Sequence, residues 1–143
     1  MNEIIMRHIF IFFLLSYSSV AAQTPLTGTW NIDWQATRSA MTMAENQKFS
    51  GMSSAMQTKV QQGFENRSYI FNTDGQFTAS WQTGGQQKQV QGTWSVINTR
   101  VTIDAQGQTK QYDYSISGNQ LTLTEVLSGT GGLFSTLILS RAN

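Results

Sequence analysis

The chain has 143 residues, no cysteine, one histidine and a formal charge of +1 from nine basic and eight acidic side chains. That is one domain's worth of polypeptide, and it is held together without disulfides. The near-neutral charge, with no Lys/Arg cluster, excludes a nucleic-acid surface. The histidine is His8. Beyond it the chain carries neither His nor Cys, which removes Ser-His-Asp and Cys-His catalysis and nearly all zinc and transition-metal sites. No metal and no cofactor is expected.

Arg7 and His8 precede an apolar run over residues 9–15, and Val20-Ala21-Ala22 follows. A charged start, a short apolar stretch and small residues before a cut describe a secretory signal peptide over 1–22, and the run is too short to span a bilayer. Cleavage after Ala22 leaves 23–143 as a single domain, exported to the periplasm or beyond the cell, with no membrane insertion of the mature chain. No Cys follows the run, which excludes a lipid anchor on cysteine.

Residues 26–33 read as a first strand containing Gly28-Thr29-Trp30. Residues 37–64 are different. Phe49, Met52, Met56, Val60 and Phe64 recur at three- and four-residue steps, the spacing of an amphipathic helix. Met41 and Ala44 belong to a preceding turn or short helix, and Ser50-Gly51 either separates two helices or lies inside one.

From residue 66 onward, apolar and polar residues alternate and the pattern breaks at short turns. Seven strands are predicted, over 66–72, 76–83, 86–97, 100–105, 108–117, 120–127 and 133–141. Turn length sets register, and a slip of one residue would turn every side chain to the other face. Gly84-Gly85 as a two-residue turn pairs Ala79 with Val90 and Phe77 with Gly92. Asn98-Thr99 pairs Val96 with Val101 and Trp94 with Ile103. Gln106-Gly107 pairs Val101 with Tyr112, and Gly118-Asn119 pairs Ile116 with Leu121 and Tyr114 with Leu123. A two-residue Asp74-Gly75 turn would set Asn72 against Phe77. A three-residue loop, Thr73-Asp74-Gly75, instead pairs Phe71 with Phe77 and Tyr69 with Ala79. The last loop, 128–132, pairs Leu127 with Leu133 and Leu123 with Leu137. One face stays apolar throughout. With the first strand there are eight, and an all-β, up-and-down antiparallel sheet of eight strands closes into a barrel, here with a helical insertion between strands 1 and 2. An outer-membrane barrel is excluded because the outward faces carry Asp104, Asp113 and many Gln, Thr and Ser.

The early Gly28-Thr29-Trp30, the long insertion, the Phe71…Asp74-Gly75-x-Phe77 hairpin, a second Gly92-Thr93-Trp94 and the closing Leu139-Ser140-Arg141 together resemble the bacterial lipocalin-like secreted proteins of the calycin group. The resemblance covers nearly all of 23–143. It implies that Trp30 sits at the closed end of the barrel beneath Arg141, a cation–π contact over a buried indole. The helices after the first strand resemble instead the lid of fatty-acid-binding proteins.

Strand direction sorts the turns into two ends. At the end with Asp74, Asn98 and Gly118, the inward residues are Phe77, Val96, Val101, Ile116, Leu121 and Leu139, a packed and closed end. At the helix end, the same parity aims Trp81, Lys88, Lys110, Tyr112, Glu125 and Ser135 inward. A few polar groups in an aromatic, apolar cup is how small-molecule sites are built. The expected partner is a small apolar or amphipathic molecule under the helical lid. Lys88 and Lys110 would meet an acidic head group, and Trp81, Tyr112, Met52 and Met56 would surround its body. Glu125 interrupts the inward row Leu121-Leu123-Glu125-Leu127 and requires a partner. The alternative is a structural or interaction module with a barrel filled by its own side chains and an exposed apolar patch at Phe134 and Ile138. Enzymatic action is not expected, because the meander offers no second inward acid beside Glu125.

Overall fold

A computed structural model describes residues 25–126 and 132–143. The period-two segments form eight strands: β1 (Gly28–Ile32), β2 (Ser68–Phe71), β3 (Gln76–Thr83), β4 (Gln86–Ile97), β5 (Arg100–Ala105), β6 (Gln108–Ser117), β7 (Gln120–Glu125) and β8 (Thr136–Arg141). Each pairs antiparallel with the next, and β8 returns to β1, so the barrel is closed and has no free edge. Among the described residues the pairings predicted from turn length occur, including Ala79 with Val90, Trp94 with Ile103, Val101 with Tyr112, Tyr114 with Leu123 and Leu123 with Leu137. The three-residue loop also holds: Phe71 faces Phe77, and Gly75 takes a φ of 85° that a side chain would resist. The predicted pairing of Leu127 with Leu133 and the segment 1–22 lie outside the described residues.

The insertion comprises three helices: α1 (Trp34–Ser39), α2 (Met43–Ser50) and α3 (Ser54–Glu65). The first begins at Trp34, directly after the predicted strand 26–33 and three residues ahead of the predicted insertion 37–64. Asp33 caps it, its side chain accepting the Ala36 N–H at 3.0 Å. Thr42 and Glu45 form a reciprocal capping box on α2, Gly51 ends that helix, and Ser53 caps α3. The chain therefore breaks at Gly51, and the stripe from Phe49 to Phe64 runs over two helices.

Two apolar clusters result. Inside the barrel, Trp30, Phe71, Val101, Leu121, Leu123 and Leu139 are fully buried. The Arg141 guanidinium lies 4.1 Å from the Trp30 ring centroid. It also donates to the carbonyls of Thr27 at 3.1 Å and Pro25 at 2.9 Å, while the Trp30 indole N–H donates to the Leu26 carbonyl at 2.8 Å. The closed end is thus sealed by an aromatic ring, a cation above it and satisfied hydrogen bonds.

The second cluster joins the helices to the segment before β8. Trp34 lies 5.9 Å from Phe49, 6.1 Å from Phe64 and 5.7 Å from Phe134, and Phe64 and Phe134 meet edge-on at 4.6 Å. This corrects the expected patch: Phe134 is only 7% exposed, and Ile138 is half-buried. Outward parity does not mean exposure when helices cover that side of the sheet.

Candidate functional site

A cavity of about 260 Å³ opens inside the barrel on the side of β2 to β6. Its walls are Tyr69, Phe77 and Ala79, then Trp81, Val90 and Ile103, and it is completed by Ala105, Gln106, Gln108, Lys110 and Tyr112. The reason for the space is local. On β3 to β5 the inward cross-strand pairs are small, Ala79 with Val90 and Gly92 with Ala105. On β7 and β8 the inward pairs are Leu121 with Leu139 and Leu123 with Leu137, which fill their half. Gly92 also lets β4 approach β5 closely, since a Cβ there would lie 2.0 Å from the Asp104 carbonyl oxygen.

Of the residues predicted from parity, Trp81, Lys110 and Tyr112 line this cavity. Lys88 pairs with Trp81 across the strands but is exposed and lies outside the wall. Glu125 faces Tyr112 across β6 and β7. It lines, with Ser135, a separate hollow of about 220 Å³ shared with Ala44, Glu45, Lys48, Gly132 and Leu133. Met52 packs partly buried against the core, and Met56 is 47% exposed. No helical residue is among those lining the barrel cavity. The helices spend their aromatic faces on one another and on Phe134, so Met52 and Met56 are not part of its wall.

Parity reading also passed over Arg67. It precedes β2 in the inward phase of Tyr69, and its guanidinium lies between two rings, 4.5 Å from Phe64 and 5.2 Å from Trp81. It therefore links α3 to the cavity wall. Its Nε is buried without a hydrogen-bond partner among the described residues. The signal was a basic residue directly before a strand, two positions from an inward tyrosine.

The electrostatics fit a donor-rich wall. Burial pushes the Tyr112 phenol far above its ordinary pKa, Tyr69 and Glu125 add to this, and Arg67 opposes it in part. Tyr112 therefore remains a protonated donor at neutral pH.

The neighbouring hollow brings two carboxylates together, Glu45 and Glu125, the second acid that the meander alone did not supply. Glu45 is nonetheless committed to the backbone. One oxygen accepts the Ser135 N–H at 2.8 Å and the other the Thr42 N–H at 2.9 Å. Burial works to raise its pKa, but the hydrogen bonds from Ser135 and Thr42 outweigh it, and the carboxyl stays below its ordinary range. An acid held ionised in this way is poorly suited to donate a proton.

The comparisons agree with this architecture. The lipocalin-like domain family model matches residues 26–123. Among solved structures, the chain is similar to a DUF4847 family protein from Bacteroides vulgatus ATCC 8482, with 18% identity and a TM-score of 0.50 over 82% of this chain and 93% of that one. At that identity the likeness shows the fold alone. No curated protein matches the chain. On the family match, which runs from ahead of β1 into β7 and so takes in Trp30, the helices and the cavity wall, the chain belongs to the lipocalin-like domain family.

Proposed function

We propose that the protein is an exported, non-catalytic carrier or sensor that holds a small apolar or amphipathic molecule in the barrel cavity. The observation that carries this reading is the wall itself. Aromatic and aliphatic side chains from β2 to β6 converge on an unfilled space, with Lys110, Gln106, Gln108 and the Tyr112 phenol as the few polar groups. The residues before the barrel, with their basic start and apolar run, support export. The alternative of an interaction module loses the exposed Phe134 patch on which it rested.

Native mass spectrometry of the protein purified from its own host tests the reading. A small-molecule adduct is expected, and it is lost when Ala105→Met fills the cavity or Trp81→Ala removes a wall. A clean apo mass for the unaltered protein, with variants that are merely less stable, would count against a carrier.

A further inference from the structure

Resting on the carrier reading, we infer that the cavity selects single-ring aromatic carboxylates, with Lys110 as the head-group cation and Arg67 as the residue that positions Trp81.

Size is the first constraint. About 260 Å³ is roughly nine water-sized units at the ~30 Å³ a water occupies in the liquid, and it lies below the ~300–1,000 Å³ of ordinary ligand pockets. A benzene ring with a short acidic arm is of that size, whereas a long acyl chain exceeds it. Shape is the second. Tyr69, Phe77, Trp81 and Tyr112 all contribute to one wall, and Tyr69 and Phe77 already meet at a T-shaped 5.5 Å. Rings set around a small space favour another ring, placed edge-to-face or offset.

Charge is the third constraint. Lys110 is in the wall, and Arg67 stands over Trp81 with a buried, unpartnered Nε. Among the described residues the one ion pair is Arg100 with Asp113 at 3.1 Å, on the outer face, so neither Lys110 nor Arg67 is in a salt bridge there. Glu125, cross-strand from Tyr112, lines the adjoining hollow instead of this cavity. The cavity thus has two cations beside it and no carboxylate in its wall. Tyr112 and the Gln108 amide supply neutral donors for the same anion. Arg67 bridges the Phe64 and Trp81 rings. It holds the indole in place through a cation–π contact and adds positive field without having to touch the ligand.

The test is titration calorimetry at low salt, using benzoate, phenylacetate and 3-phenylpropanoate, their matched neutral amides, and dodecanoate. At least one ring acid is expected to bind about tenfold or more tightly than its amide, with dodecanoate failing to displace it. Lys110→Met, at an exposed position where folding is not at stake, is expected to lower acid affinity about tenfold and leave amide affinity unchanged. Arg67→Met is expected to weaken both and to alter the tryptophan emission. Equal binding of acid and amide, a Lys110→Met variant that keeps the preference, or tighter binding of dodecanoate would overturn the inference and leave the carrier reading standing. Failure of all seven probes to bind would overturn it as well, and the carrier reading would then rest on the native mass spectrum alone.

Discussion

Glu45 and Ser135 are 90 positions apart, and the Glu45 carboxylate accepts the Ser135 backbone N–H at 2.8 Å. With its other oxygen on the Thr42 N–H, one side chain closes the capping box of α2 and ties that helix to the segment entering β8. The aromatic cluster of Trp34, Phe64 and Phe134 lies at the same junction. The helical insertion is therefore pinned to the barrel here by a charge-assisted contact and a patch of rings, in addition to the Thr37 hydrogen bonds to Ile138.

This tie is pH-dependent. The Glu45 carboxyl is held below the 4.5 of an ordinary glutamate, the hydrogen bonds from Ser135 and Thr42 outweighing the opposing effect of burial. A folded pKa below the unfolded one gives stability that is present above the unfolded pKa and lost as pH falls through the folded value. Glu45→Gln is expected to cost about 1 kcal/mol at pH 7, a figure reduced for the partial exposure of the site. The gap between the two proteins in urea midpoints should close as pH is lowered below 4.5 and on through the depressed folded value. A gap that persists unchanged through the whole acid range would show that the charge is not what holds the helix.

Thr37 closes the barrel seam where β1 stops. It is fully buried. Its Oγ1 accepts the Ile138 N–H at 3.0 Å and donates at 3.1 Å to the Ile138 carbonyl, which also accepts the Asp33 N–H at 2.8 Å, so Thr37 satisfies the N–H at the point where the ladder with β1 ends. Thr37→Val keeps the shape and strands the Ile138 N–H. The expected loss is about 1–3 kcal/mol, read from chemical denaturation, with faster hydrogen exchange at Ile138. Thr37→Ser should retain the hydrogen bonds and lose less than the valine variant.

Gly92 is required by contact distance, not by its φ. Its Cβ would meet the Asp104 carbonyl oxygen at 2.0 Å and the Ala105 Cβ at 2.9 Å. Backbone cannot give way as a flexible side chain does, so Gly92→Ala should separate β4 from β5 beside the cavity. A loss of about 2 kcal/mol or more is expected, together with loss of the small-molecule adduct proposed for the cavity. Unaltered stability would mean that the two strands can part freely at this point.

Much of the architecture was legible in the sequence. Alternation over residues 66–141 and the turns at Gly84, Asn98, Gln106 and Gly118 fix register because each strand has one wet face and one dry face, and a slip would exchange them. Eight such strands in up-and-down order then close on themselves, as β1 and β8 do here. The contact of Trp30 with Arg141 followed from the family resemblance, and the geometry bears it out. The helix starts were also written locally, in Asp33 and in Thr42 with Glu45, although the strand pattern before them masked the first.

Parity assigns a side chain to a face but not to a depth, and here the tertiary structure decided. Trp81, Lys110 and Tyr112 share a cavity while Glu125 and Ser135, on the same inward parity, line a different hollow. Whether space remains depends on the summed volumes of side chains around the whole ring of strands: small residues at Ala79, Gly92 and Ala105 against leucines across the barrel. Whether Phe134 is wet depends on where three helices from the other end of the chain come to rest. A period of two is a property of each strand alone, readable one segment at a time. Unfilled volume and the covering of an outward face are properties of residues brought together from distant parts of the chain, and they exist only once the barrel has closed.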